Sequence, residues 1–84
     1  MQTYVYKSLR KDNTYVYLRR RDDFEVIPEA VRKPLGELVF VLEFALTGQR
    51  KLAQADPVVV RANLAAHGFH LQFPPTLLDP MVDG

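Results

Sequence analysis

The chain has 84 residues, 48% hydrophobic and 25% charged, with 11 Lys/Arg against 10 Asp/Glu, a net charge of +1 and no cysteine. That length suits one domain with a small core, and the composition excludes a disordered chain. The absence of cysteine excludes a disulfide framework and any thiolate-bound metal.

Charge is unevenly placed. Residues 1–34 hold eight Lys/Arg and five Asp/Glu, hence +3, and residues 35–84 hold three and five, hence −2. Met1 to Tyr6 shows no basic segment leading into a long apolar run, so no secretory signal is expected. The longest apolar stretch, Leu38 to Leu46, carries Glu43 and falls short of the roughly 20 residues that cross a bilayer. A cytoplasmic location is the expectation.

Thr3 to Lys7 and Thr14 to Arg19 are rich in Tyr, Val and Thr and flank the polar stretch Ser8 to Asn13, which predicts a hairpin. Tyr15 and Tyr17 fall on one face of the second strand and Val16 and Leu18 on the other. Apolar bulk on both faces predicts partial cover on both. Arg19-Arg20-Arg21-Asp22-Asp23 forms a charged exit, followed by the apolar anchor Phe24, Val26 and Ile27. Pro28 then suits a first helical position, where its missing N–H has no partner to lose. The helix is expected over Glu29 to Lys33, with Glu29 near its positive end and Arg32 and Lys33 near its negative end. Pro34 should end it, because the residue before a proline avoids helical geometry.

Leu38-Val39-Phe40-Val41-Leu42 is an unbroken, β-branched run, which predicts a central strand buried on both faces. A short buried helix is the competing reading and loses on propensity. Thr47-Gly48-Gln49 reads as a turn, and residues 50–55 stay open between loop, helical turn and edge strand. Asp56-Pro57 opens the clearest helix, Asp as cap and Pro at the first position. Val60, Leu64 and His67 form its buried stripe, and Gly68 ends it in a left-handed cap. Phe69 to Phe73 alternates strictly, with Phe69, Leu71 and Phe73 toward the core, until Pro74-Pro75 stops the strand. The fold is therefore expected to be α+β, a small four-stranded, mostly antiparallel sheet packed with two helices in the order β-β-α-β-α-β. The domain spans 1–75, and 76–84 is expected to be a short mobile tail.

Several phrases point to one pattern: Tyr6-Lys7-Ser8, Lys11, Tyr15-Val16-Tyr17-Leu18, Asp23-Phe24, Pro28, Pro34-Leu35-Gly36, Gly68-Phe69-His70-Leu71-Gln72 and Pro74-Pro75. From Tyr4 to Pro75 the chain resembles the YcgL domain family of gammaproteobacteria, most specifically in the closing phrase. The resemblance implies an α/β/α sandwich and no reaction, cofactor or ligand. It carries two associations, with cell division and with genomic proximity to a ribonuclease of the D type. The tail departs from the pattern, being short where many members have a longer acidic, leucine-bearing extension.

The main candidate site is the hairpin surface, where Lys7, Arg10, Lys11 and Arg19, with Arg20 and Arg21, would gather beside Tyr15 and Tyr17. Cations beside rings suit phosphate and base stacking; the same tyrosines half-buried under a helix are the competing reading. His70 and Gln72 share a strand face and could bond a ligand, or bond the neighbouring backbone or cover a helix. His67 and His70 are separated by a helix-ending glycine and lack a carboxylate at a ligand interval, so no metal is expected. Ser8 has no base near it in sequence. Asp22, Asp23 and Glu25 would need Glu43 or Asp56 to converge on them for metal-dependent hydrolysis. The expectation is a non-catalytic interaction module without a cofactor, binding a protein partner and no membrane. Weak single-stranded RNA binding is the alternative.

Overall fold

Strands form where β-branched and aromatic residues are densest. In the computed structural model, which describes residues 1–47 and 56–73, they are β1 (Gln2–Ser8), β2 (Tyr15–Leu18), β3 (Leu38–Ala45) and β4 (Phe69–Gln72). A 3-10 turn (Phe24–Val26) and helix α1 (Glu29–Leu35) lie between β2 and β3, and helix α2 (Pro57–His67) precedes β4. The strands form one sheet in the order β3-β1-β2-β4, with every neighbouring pair antiparallel. This is the expected α+β class and element order. The turn expected at Thr47-Gly48-Gln49, beyond Thr47 itself, the open stretch 50–55 and the tail 76–84 lie outside the described residues.

Alternation along β1 and β2 feeds two separate cores. Tyr6, Val16 and Leu18 point to one side, where they pack with Ile27 and Leu35 from the turn and α1. Val5 and Tyr17 point to the other and pack with Leu46 and with Val60 and Leu64 of α2. The expected cover on both faces of the second strand is present. Phe69 and Leu71 join the α1-side core, whereas Phe73, expected beside them, is exposed.

Two expectations are corrected. Leu38 to Leu42 is not a doubly buried central strand: β3 pairs with β1 alone among the described strands. Val39, Val41 and Leu42 are 42%, 45% and 44% exposed. The centre belongs to β1 and β2, whose two-sided apolar pattern fills both layers. Register explains part of the exposure. Val5 lies opposite Leu42 and Tyr6 opposite Phe40, so Val41 is the extra residue of a bulge, a device common on sheet edges. Pro34 does not end α1 either. The helix continues to Leu35 and closes at Gly36, whose φ is 67°. Pro28 stands just outside as the cap, its carbonyl accepting from the Val31 and Arg32 N–H groups at 2.9 Å each. In a helix this short, Pro34 sits in the last turn and costs little cooperative hydrogen bonding.

The signals for α2 hold. The Asp56 carboxylate accepts from Val58 N at 2.9 Å, and Gly68 adopts the left-handed conformation with φ 84°. Val60 and Leu64 are fully buried, but His67 lies exposed because the stripe turns away from the sheet at the last turn.

The hairpin is fastened to α1 by one hydroxyl. Buried Ser8 donates from Oγ to the Leu35 carbonyl at 2.6 Å and accepts from the Arg10 and Lys11 N–H groups at 3.2 and 3.0 Å. Ser8→Ala strands these groups and should cost about 1–3 kcal/mol in urea unfolding. An unchanged midpoint would show that the hydroxyl is dispensable. Leu64→Ala should cost about 2–5 kcal/mol as a deep core truncation, while His67→Ala should stay within about 0.5 kcal/mol. Equal effects from the two in the same assay would contradict the assignment of the buried face.

Candidate interaction surface

Five of the eight candidate residues reach the α2 side of the sheet through strand register. Lys7 lies opposite Tyr15 on β2 and Val39 on β3, and Tyr15 lies opposite Gln72 on β4. The result is a row, Val39-Lys7-Tyr15-Gln72, crossing all four strands. The next row, Leu42-Val5-Tyr17-His70, contains the residues on which α2 sits. In the outer row Val39 and Lys7 are exposed, and Tyr15 and Gln72 are half-buried. Lys7, Tyr15 and Gln72 are thus brought together as a surface. Val39 was missed because an apolar residue inside an apolar run reads as interior.

Tyr17 is not an accessible anchor; it is 7% exposed. Its hydroxyl donates to Gln72 Oε1 at 2.7 Å, and its ring stands edge-on to Phe44 and His70, with centroids 6.3 and 5.7 Å away. Burial first, then the neighbouring Tyr15, raises its pKa above 10. The physical reason is the alternation that pairs it with Val5 beneath Val60 and Leu64. Half-buried His70 meets Asn63 of α2, whose amide nitrogen lies 2.9 Å from Nδ1. That nitrogen can only donate, so Nδ1 accepts and the ring proton sits on Nε2. His70 and Gln72 therefore each bond a side chain inside the fold, Asn63 and Tyr17.

The cations do not gather on one surface. Arg10 turns to the α1 side, its Nη1 donating to the Lys33 carbonyl at 3.4 Å and its side chain lying against Gly36, where a Cβ would stand 3.1 Å from Arg10 Cβ. Lys11 is exposed at the hairpin tip. Arg19 follows the far end of β2, where its N–H donates to the Gly68 carbonyl, five residues or about 16 Å of strand from Thr14. Arg21 lies 4.2 Å over the Phe40 ring and 4.0 Å from Glu43. A strand separates whatever precedes it from whatever follows it, and β2 does so here.

The acidic residues also have local duties. Asp22 holds the Tyr6 hydroxyl, which donates to Oδ1 at 2.8 Å and accepts from the Asp22 N–H at 2.7 Å. Burial, followed by that bond to the carboxylate, raises the Tyr6 pKa. Glu43 accepts from Gln2 at 2.7 Å, and Asp56 caps α2 across the sheet. Asp22 and Glu43 share Arg21, at 3.9 and 4.0 Å, while Asp56 stays with the α2 N-terminus. Among the described residues no three His, Asp or Glu side chains are grouped to hold a metal, and no helix is long and apolar enough to cross a membrane.

An open antiparallel sheet with one helix on each side, its two cores divided by a central hairpin, defines a small α+β sandwich. The chain belongs to the YcgL domain family, which matches residues 3–75. A YcgL domain-containing protein of Thioalkalivibrio sulfidiphilus is 59% identical over 75 residues, covering 89% of this chain and 93% of that protein. One from Xanthomonas campestris is 58% identical over 78 residues, covering 93% and 91%. One from Stenotrophomonas maltophilia is 52% identical over 81 residues, covering 96% and 94%.

Burial lowers the His70 pKa below its usual 6.5. Between the folded and unfolded values the unfolded chain binds the extra proton. The stabilising contribution is therefore complete above about pH 6.5 and is lost as pH falls through the lower, folded value. Thermal melts from pH 7.5 down to 5 should show a declining midpoint that His70→Gln makes flatter. Parallel profiles for the two proteins would remove His70 as the cause.

Proposed function

We propose that the chain is a non-catalytic protein-interaction module of the cytoplasm, docking a partner on the outer row Val39-Lys7-Tyr15-Gln72. The observation that carries this reading is the row itself. An aliphatic, a cation, an aromatic and an amide stand in cross-strand register beyond the row that α2 packs on, with Val39 and Lys7 exposed. A half-buried aromatic beside an exposed cation is the composition of an interface anchor. Lys11, exposed at the hairpin tip, flanks the row and would orient an acidic partner by steering rather than by close contact. The association of the family with cell division names one place to look for that partner.

Weak single-stranded RNA binding has less to support it. Stacking needs exposed rings in series, yet Tyr17 is enclosed and Arg19 stands at the opposite end of β2 from Arg10 and Lys11. The experiment is affinity capture from lysate with and without nuclease, using wild type, Lys7→Glu/Tyr15→Ala and Arg19→Glu. A protein retained after nuclease, lost with the double variant and kept by Arg19→Glu, is the expected outcome. Capture abolished by nuclease and falling steeply with salt would give the site to RNA instead. Equal capture by all three proteins would move the surface elsewhere.

A further inference from the structure

The α2 side of the sheet is only partly covered. A helix about 10–12 Å across spans roughly two strands set about 4.8 Å apart, and this sheet has four strands. α2 stands toward β4, packing along that strand and placing Asn63 beside His70. The opposite corner, where β1 and β3 run toward the hairpin tip, carries exposed aliphatic side chains. Val39 and Leu42 of β3 are 42% and 44% exposed. Leu9, two residues beyond Lys7, is 59% exposed and falls on the same face by strand alternation. Its neighbours Ser8 and Arg10 both turn to α1.

Charge within this corner indicates what it receives. Lys7 stands among the three aliphatics, in register with Val39, and Lys11 follows at the tip. Neither lysine has a carboxylate partner among the described residues. Glu37 lines the groove of Phe24, Arg32 and Leu38 on the α1 side, and Asp12 offsets only one of the two cations. A ligand bearing carboxylates neutralises them on binding, and a basic one is repelled. Spacing points to a helix. Leu42 lies opposite Val5 and Val39 opposite Lys7, so Leu42, Val39 and Leu9 mark successive rows about 7 Å apart. Residues i and i+4 of a helix stand about 6 Å apart on one face. The bulge at Val41 interrupts the regular ladder that an added strand needs. We propose that this corner receives an acidic amphipathic helix of a partner protein, with apolar residues at i, i+4 and i+8 seated on Leu42, Val39 and Leu9. Its carboxylates meet Lys7 and Lys11, and the helix completes the layer that α2 leaves half filled. This rests on the outer row being the docking site and gives the partner its chemistry.

The probe is an acetylated, amidated peptide of about 15 residues, long enough to hold a helix. It carries leucine at every fourth position and glutamate on both flanks; a control has lysine for each glutamate. Each is titrated into the isotope-labelled full chain and followed by amide chemical shifts. Saturable shifts at Leu9, Val39 and Leu42 are expected with the acidic peptide, and binding at least about tenfold weaker with the basic one. Leu9→Ser and Leu42→Ser, both at exposed positions, should each weaken the acidic peptide about three- to tenfold. Lys7→Glu should do as much, while Arg19→Glu leaves binding unchanged. No saturable shift, equal binding of the two peptides, or shifts confined to the back of α2 would overturn the proposal. Lysate capture separates it from the reading on which it rests. Capture that survives Leu9→Ser/Leu42→Ser but is lost with Lys7→Glu/Tyr15→Ala overturns the helix and keeps the row. Capture indifferent to both removes the row as well.

Discussion

The pairing of β1 with β2 is the constraint on which the rest of this domain depends. Both strands are central, and successive side chains go to opposite layers: Val5 and Tyr17 under α2, Tyr6, Val16 and Leu18 against α1 and the turn before it. A shift of one residue in either strand would exchange its two sets, sending Tyr6 to the α2 layer or Tyr17 to the α1 layer. Each layer has one helix to close it, so the domain has no spare surface on which to absorb such an error. The Ser8 hydroxyl adds a fixed point, tying the hairpin turn to the end of α1.

Tyrosine serves structure here before it serves recognition. Buried phenols need a partner for the hydroxyl, and the two buried tyrosines, Tyr6 and Tyr17, each have one. Tyr6 bonds twice to Asp22, whose positive φ of 60° brings its carboxylate and N–H to the same oxygen. Tyr17 bonds to Gln72 across the β2–β4 pair. These bonds lock the chain around β2 and join the edge strand β4 to the centre. They also remove two of the rings a binding partner would otherwise use, leaving Tyr15 at the margin of the α2-side core.

The placement of α2 divides its side of the sheet into a sealed and an open part. Val60 and Leu64 close the row containing Val5 and Tyr17, and Asn63 fixes the helix laterally on His70. Lys7 and Tyr15 lie one row further toward the hairpin tip. The exposed residues of β3, which pairs with β1 alone among the described strands, extend the same surface. Small domains of this kind have little area to give to binding without opening the core.

Much of the layout was legible in the residues because it rests on local rules. The hairpin, the Asp56-Pro57 start and Gly68 end of α2, the alternation in β2 and β4 and the element order all follow from φ preferences, capping and side-chain period, which act over a few positions. The family was legible for the same reason, since its short phrases sit at those turns and strand ends. Tertiary structure alone decided that Leu38 to Leu42 lies at an edge, because an apolar run reports hydrophobicity and not the number of neighbours a strand acquires. It also decided that Tyr17 is enclosed while Tyr15 is partly open, although both occupy one face of one strand. The difference comes from where a helix 40 residues later comes to rest. The separation of Arg10 and Lys11 from Arg19 likewise needed only the length of β2 in space, which a count of charges along the chain does not contain.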